Sequence, residues 1–144
     1  MTQKQEIGKA GEEEAEDYLW DKGYTVIEKN YRQPWGELDI VAKAPDRTLV
    51  FVEVKTIKRD PNIPARQRLS AAMAGGRMHP NDPNIRPEEN LTKAKLRKLQ
   101  RTCSIYANSH LELINDKRGW RIDLVAVELD ENGLLAVLNH FLGK

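Results

Sequence analysis

The chain has 144 residues, 40% hydrophobic and 31% charged, with 23 Lys and Arg against 22 Asp and Glu. That length fits one domain that buries a core without staples, and the composition is that of an ordinary globular protein. The single cysteine, Cys103, excludes an internal disulfide framework, and no apolar leader or membrane-length run is present, so a cytoplasmic protein is expected.

Residues 4–22 predict an amphipathic helix whose stripe is Ile7, Ala10, Gly11, Ala15, Tyr18 and Leu19, with Gly23 as its stop. On the helical wheel Glu12 lies beside Leu19 at one edge of the stripe and Glu14 at the other. Glu13 and Glu16 point outward. Periodicity therefore admits either Glu12 or Glu14 into a site on the sheet below. A short strand is predicted at Tyr24–Ile27, after which Asn30, Tyr31 and Arg32 lead onward. Arg32 is placed either to contact a phosphate or to pair with a core carboxylate.

Next comes a hairpin, from Glu37–Ala42 to Leu49–Lys55, through the turn Ala44-Pro45-Asp46-Arg47. Side chains alternate along a strand. Val50, Val52 and Val54 thus share one face, and Leu49, Phe51, Glu53 and Lys55 the other. In the first strand Leu38, Ile40 and Ala42 oppose Glu37, Asp39 and Val41. A loop centred on Asp46 sets Asp39 opposite Glu53, with Cβ atoms about 5 Å apart. Two carboxylates so close repel, and one tends to keep a proton. A bound Mg²⁺ removes that conflict, because hard cations take oxygen ligands; the Val54 carbonyl is a further candidate ligand. Lys55 would then hold the attacking water or stabilise developing phosphate charge. The competing interpretation is a solvated hairpin face. Against it, Val41, Leu49 and Phe51 share that face, and Asp, thirteen residues, then Glu-x-Lys is a nuclease spacing.

Residues 59–90 are rich in Pro, Gly, Asn and Arg, too long for a plain connector. Within them Ala65–Ala74 suits a short helix. Arg59, Arg66, Arg68, Arg77 and Arg86 make the segment basic, as an arm that orders on DNA or as an insertion without a role. His79 has no partner at metal-ligand spacing and is assigned to the loop. A second helix is predicted over 92–109, with Leu91, Ala94, Leu99, Cys103 and Tyr106 as its stripe and Thr92 as a candidate cap. Its first half is strongly basic, and Lys95 and Lys98 are candidate phosphate contacts. Cys103 reads as a buried thiol. Trp120–Leu129 is apolar on both faces, as an inner strand is, and Asp123 within it is expected to be a paired structural acid. Asn132-Gly133 predicts a turn into a last strand, Leu134–Phe141. Charge is unevenly divided. Residues 1–60 hold 10 Lys and Arg against 13 Asp and Glu, and the remainder hold 13 against 9.

In order and spacing these motifs resemble the PD-(D/E)xK nuclease superfamily, and more narrowly the YraN-type family of small bacterial endonuclease-like proteins. The resemblance runs through Gly8-x-x-Gly11-Glu12-x-x-Ala15, Asn30-Tyr31-Arg32, Gly36-Glu37-Leu38-Asp39, Phe51-Val52-Glu53-Val54-Lys55, the helix from Lys95 and Arg121–Val127. Leu38 stands where the superfamily name has proline, and the long 59–90 segment departs from the family's short loop. The resemblance implies an α/β fold with a restriction-endonuclease-like αβββαβ core, a mixed central sheet flanked by helices. It also implies Asp39 and Glu53 as metal ligands, Glu12 as the helix-borne third carboxylate and Lys55 as the catalytic lysine. Glu37 would assist, and Arg32, Lys95 and Lys98 would bind nucleic acid. The expected activity is Mg²⁺- or Mn²⁺-dependent cleavage of DNA, branched DNA included, by a homodimer by analogy with resolvases. A non-catalytic nucleic-acid-binding or protein-interaction module is the alternative.

Overall fold

The computed structural model describes residues 2–59, 62 and 92–143. The short helix expected at 65–74, His79 and the arginines beyond Arg59 in the basic segment lie outside the described residues, as does the side chain of Thr92.

Helix α1 (Gln3–Asp21) starts at a capping box. The Thr2 hydroxyl accepts from the Gln5 amide and the Gln5 side chain accepts from the Thr2 amide. It stops at Gly23, whose positive φ lets the Gly23 and Tyr24 amides fold back onto the carbonyls of Trp20 and Leu19. Between these ends Gly11, Ala15 and Leu19, four residues apart, are the buried positions. Gly11 permits a close approach. A Cβ there would sit 1.8 Å from Thr56 Oγ1, so only glycine lets the helix lie this near the sheet.

Five strands form one sheet in chain order: β1 (Thr25–Gln33), β2 (Gly36–Lys43), β3 (Leu49–Lys58), β4 (Trp120–Leu129) and β5 (Leu135–Phe141). All neighbours are antiparallel except β3 and β4. A parallel pair needs a long crossover, and helix α2 (Thr92–Ser109) belongs to it. The element order is the αβββαβ arrangement expected, with β5 added at the edge. Strand β1 runs six residues beyond the predicted Ile27. Its second half is polar on both faces and mostly exposed, so it carries no hydrophobic alternation to read. It also contains a bulge between Val26 and Glu28 and a left-handed Asn30.

The core has two layers. Ala15 and Leu19 of α1 pack on Ile40, Ala42, Val50, Val52, Val125 and Val127. On the other face Cys103, Tyr106 and Ala107 of α2 pack on Leu38, Val41, Leu49 and Phe51. The alternation along β3 is as predicted, and that along β2 is not. Leu38 joins Val41 rather than Ile40 and Ala42, so β2 loses strict alternation around Asp39. Cys103 is fully buried, and burial pushes its thiol up to about 12, as a structural cysteine requires. Arg59, counted above with the basic segment, instead sets its guanidinium 3.4 Å from the buried Glu128 carboxylate.

Candidate active site

The site begins where β2 leaves β3. Their pairing runs from Lys43↔Leu49 to Ile40↔Val52 and stops, whereas β3 stays paired to β4 as far as Lys58↔Leu129. Beyond Val52 one edge of β3 therefore lacks a strand partner. A buried amide there needs an acceptor, and the Asp39 carboxylate supplies it, taking the Val54 N–H at 2.8 Å. The turn behaves as its sequence predicts. Asp46 accepts from the Thr48 amide, Arg47 takes the left-handed conformation, and Asp39 and Glu53 stand one residue past Ile40↔Val52, the last pair of the ladder.

The Asp39 and Glu53 side chains lie close enough for each to act on the other's titration. Burial, then the neighbouring Asp39 charge, raises Glu53 to about 7, against the pull of Lys55. Burial likewise raises Asp39, opposed by the Val54 amide and Lys55. Lys55 Nζ lies 3.4 Å from Glu53 Oε1, with the lysine side chain 39% exposed and the glutamate 28%. The cation is thus available to a ligand while the carboxylates are mostly withdrawn from water.

Two depressions meet at Lys55. A cleft of about 1170 Å³ on the α2 side is lined by Glu37, Glu53, Lys55, Lys95 and Lys98. A groove of about 420 Å³ on the α1 side is lined by Lys4, Glu12, Val54, Lys55 and Lys58. Of the predicted catalytic residues Asp39, Glu53 and Lys55, the fold therefore gathers Glu53 and Lys55 with Lys95 and Lys98, while Asp39 lines neither depression and Glu12 lies on the other side of β3's open edge. Burial raises the Glu12 carboxyl, and the charge of Asp39 raises it further, against Arg32 and Lys29. Among the described residues no three His, Cys, Asp or Glu side chains converge to hold a metal ion. Glu12, Asp39 and Glu53 are thus electrostatic neighbours but not a ready-made ligand trio. Arg32 is exposed and lines neither depression, and its charge lowers the Glu12 carboxyl.

Asp123 is the paired structural acid expected. It is buried and accepts from Arg121 Nε (2.9 Å) and the Gly143 amide (2.9 Å), and it lies 2.7 Å from His140 Nε2. Burial would raise its carboxyl, but these partners together hold it below the usual carboxylate range. Tyr24 and Tyr18 extend the network through Arg121 and His140. The sequence reading did not find His140, because a lone histidine in a strand carries no spacing signal. It also overlooked the capping box, although Thr2-x-x-Gln5 is legible as one.

No helix among the described residues is long and apolar enough to cross a membrane. A UPF0102 protein of Corynebacterium efficiens is 30% identical over 142 residues, covering 99% of this chain and 93% of that one. A UPF0102 protein of Syntrophus aciditrophicus is 50% identical over 60 residues, a match that covers 42% of this chain and less than half, 46%, of that relative. Among solved structures, Pyrococcus furiosus SfsA in complex with Ca²⁺ is 20% identical with a TM-score of 0.38, covering 97% of this chain and 64% of that one. That likeness is too slight to bear on the site. The profile of uncharacterised protein family UPF0102 matches residues 11–127, the span that holds Glu12, Asp39, Glu53, Lys55, Lys95 and Lys98. The chain belongs to the UPF0102 family, the YraN-type family whose motifs its sequence carries.

Proposed function

We propose that this protein is a divalent-metal-dependent endonuclease that hydrolyses phosphodiester bonds in DNA, branched DNA included. The observation that carries the proposal is Asp39, held on the Val54 amide at the open edge of β3, beside a Glu53 whose carboxyl is raised and which lines one cleft with Lys55, Lys95 and Lys98. Such a donor set fits a divalent cation, since two carboxylates that cannot both ionise side by side can do so around Mg²⁺ or Mn²⁺. Asp39 and Glu53 would hold the ion, with Glu12 drawn in from the α1 groove. When bound it would supply Lewis-acid charge to the scissile phosphate.

The chain's own groups supply the rest. Lys55, an exposed cation beside Glu53, orients the attacking water or meets the developing charge on the phosphate. Lys95 and Lys98 fix the backbone along α2, and Glu37 at the cleft wall assists. Two copies, as in a homodimer, would let two such sites act on two strands.

The test is a Mg²⁺ and Mn²⁺ titration over linear, single-stranded and branched DNA with wild type, Asp39→Asn and Lys55→Ala. Cleavage by wild type should fall by roughly 100-fold or more in each variant, with the circular dichroism unchanged. No metal-dependent cleavage of any substrate would sink the enzyme. If DNA still binds, the protein is a nucleic-acid-binding module on the same fold.

A further inference from the structure

We propose that Trp35 is a stacking platform for an unpaired nucleobase on the turn beside the cleft, so that the protein prefers single-stranded or frayed nucleic acid to intact duplex. This rests on the nucleic-acid function proposed above and specifies its substrate.

Trp35 is 43% exposed. Large aromatic rings normally find cover. Among the described residues Tyr31, Phe51, Tyr106 and Trp120 meet edge to face in the core, and Trp35 stands outside that cluster. Its position is fixed nonetheless. Pairing of β1 with β2 continues to Gln33↔Gly36, leaving Pro34 and Trp35 as a two-residue turn. Gly36 then presses on α2, since a Cβ there would sit 2.0 Å from Thr102 Oγ1. The buried Thr102 hydroxyl donates to the Lys98 carbonyl at 2.9 Å and lies 3.4 Å from the Trp35 carbonyl. One side chain thus ties the turn that carries the indole to the helical turn that carries Lys98. Gln33, Pro34, Gly36 and Glu37, on either side of Trp35, line the same cleft as Glu53, Lys55 and Lys98, while Trp35 itself lies beside that lining.

An exposed ring on a turn tied to a helix that bears candidate phosphate-binding lysines is the arrangement that single-strand binders use. The lysine takes the backbone and the ring takes a base face. A base stacked inside a duplex presents no free face, so the ring contributes only where the strands are open. Sequence tolerance follows, because every base offers a π-face.

Fluorescence anisotropy with labelled oligodeoxythymidylate and a duplex of equal length, in EDTA to prevent cleavage, tests this. Trp35→Leu should weaken single-strand binding roughly tenfold and leave duplex binding within about twofold, while Trp35→Phe keeps most of the preference. Equal melting temperatures show that the exposed turn tolerates the changes. If Trp35→Leu leaves single-strand affinity unchanged, or weakens both ligands alike, the stacking role is wrong. A Lys95→Ala, Lys98→Ala double variant separates the two levels. If it weakens both ligands where Trp35→Leu has no selective effect, the nucleic-acid site stands and only the platform falls. If wild type binds neither ligand, both fall.

Discussion

Glu53 shows how a single carboxyl links the site to the stability of the fold. Its folded-state pKa of about 7 lies well above the ordinary 4.5. Between those values the folded chain holds a proton that the unfolded chain releases, so stability falls as pH rises from about 4.5 to 7. Integrated over that window the loss is at most about 3 kcal/mol. Glu53→Gln removes the titrating group. Urea unfolding at a series of pH values should show wild type losing about 1–3 kcal/mol more than Glu53→Gln between pH 5 and pH 8. Parallel profiles would mean that the folded chain does not raise the Glu53 carboxyl. The same residue was legible as a site candidate in the sequence, because it shares a strand parity with Lys55 and a register with Asp39. Its proton was only a general expectation there, since its strength depends on how much protein covers the pair. The Arg121–Asp123–His140 network lay further from reach. Asp123 could be identified as structural from the apolar residues around it, but His140 joins it only through pairing of β4 with β5.

At the level of elements, the approach of α1 to β3 decides whether Glu12 can face Asp39 at all. Gly11, the residue before Glu12, is where that approach is closest. In an isolated helix Ala is better than Gly by about 1 kcal/mol. Here the added methyl meets Thr56 Oγ1 at 1.8 Å, Cγ2 at 2.5 Å and Cβ at 2.6 Å, and no rotation of Thr56 clears its own Cβ. Gly11→Ala should therefore destabilise, by about 1–3 kcal/mol net. The denaturation midpoint should fall with an unchanged slope, and a midpoint that rises would refute the close packing. Helix α1, the β2–β3 hairpin, α2 and β4 were readable because each carries a clear period of 3.6 or 2, or apolar residues on both faces. The outer half of β1 was not, since polar residues on both faces look like a loop until β2 supplies hydrogen-bond partners. The break of alternation at Leu38 was hidden for a related reason. Parity assumes a regular strand, and β2 departs from regularity where it leaves β3.

Across the whole molecule, charge is sorted by position. The amino-terminal 60 residues are net acidic and the rest net basic, and the fold brings Glu37 of β2 and Glu53 of β3 into a single cleft with the lysines of α2. If Lys95 and Lys98 meet phosphates, binding releases counterions and weakens with salt. The Lys95→Ala, Lys98→Ala double variant should reduce the slope of log affinity against log salt concentration by roughly 1.4–1.8. An unchanged slope would place the phosphate contacts elsewhere. By itself the sequence determined the element order, the two-faced hairpin and the candidate residues Asp39, Glu53 and Lys55, because alternation and turn chemistry are local and survive without knowledge of neighbours. The tertiary structure alone decided that Glu12 and Glu53 open onto different sides of β3, that Asp39 satisfies the Val54 amide, and that the turn carrying Trp35 is tied to α2 through Thr102. Those facts depend on where β2 parts from β3 and on how closely two glycines let the helices and the first hairpin approach, and such distances between segments remote in the chain have no local signature.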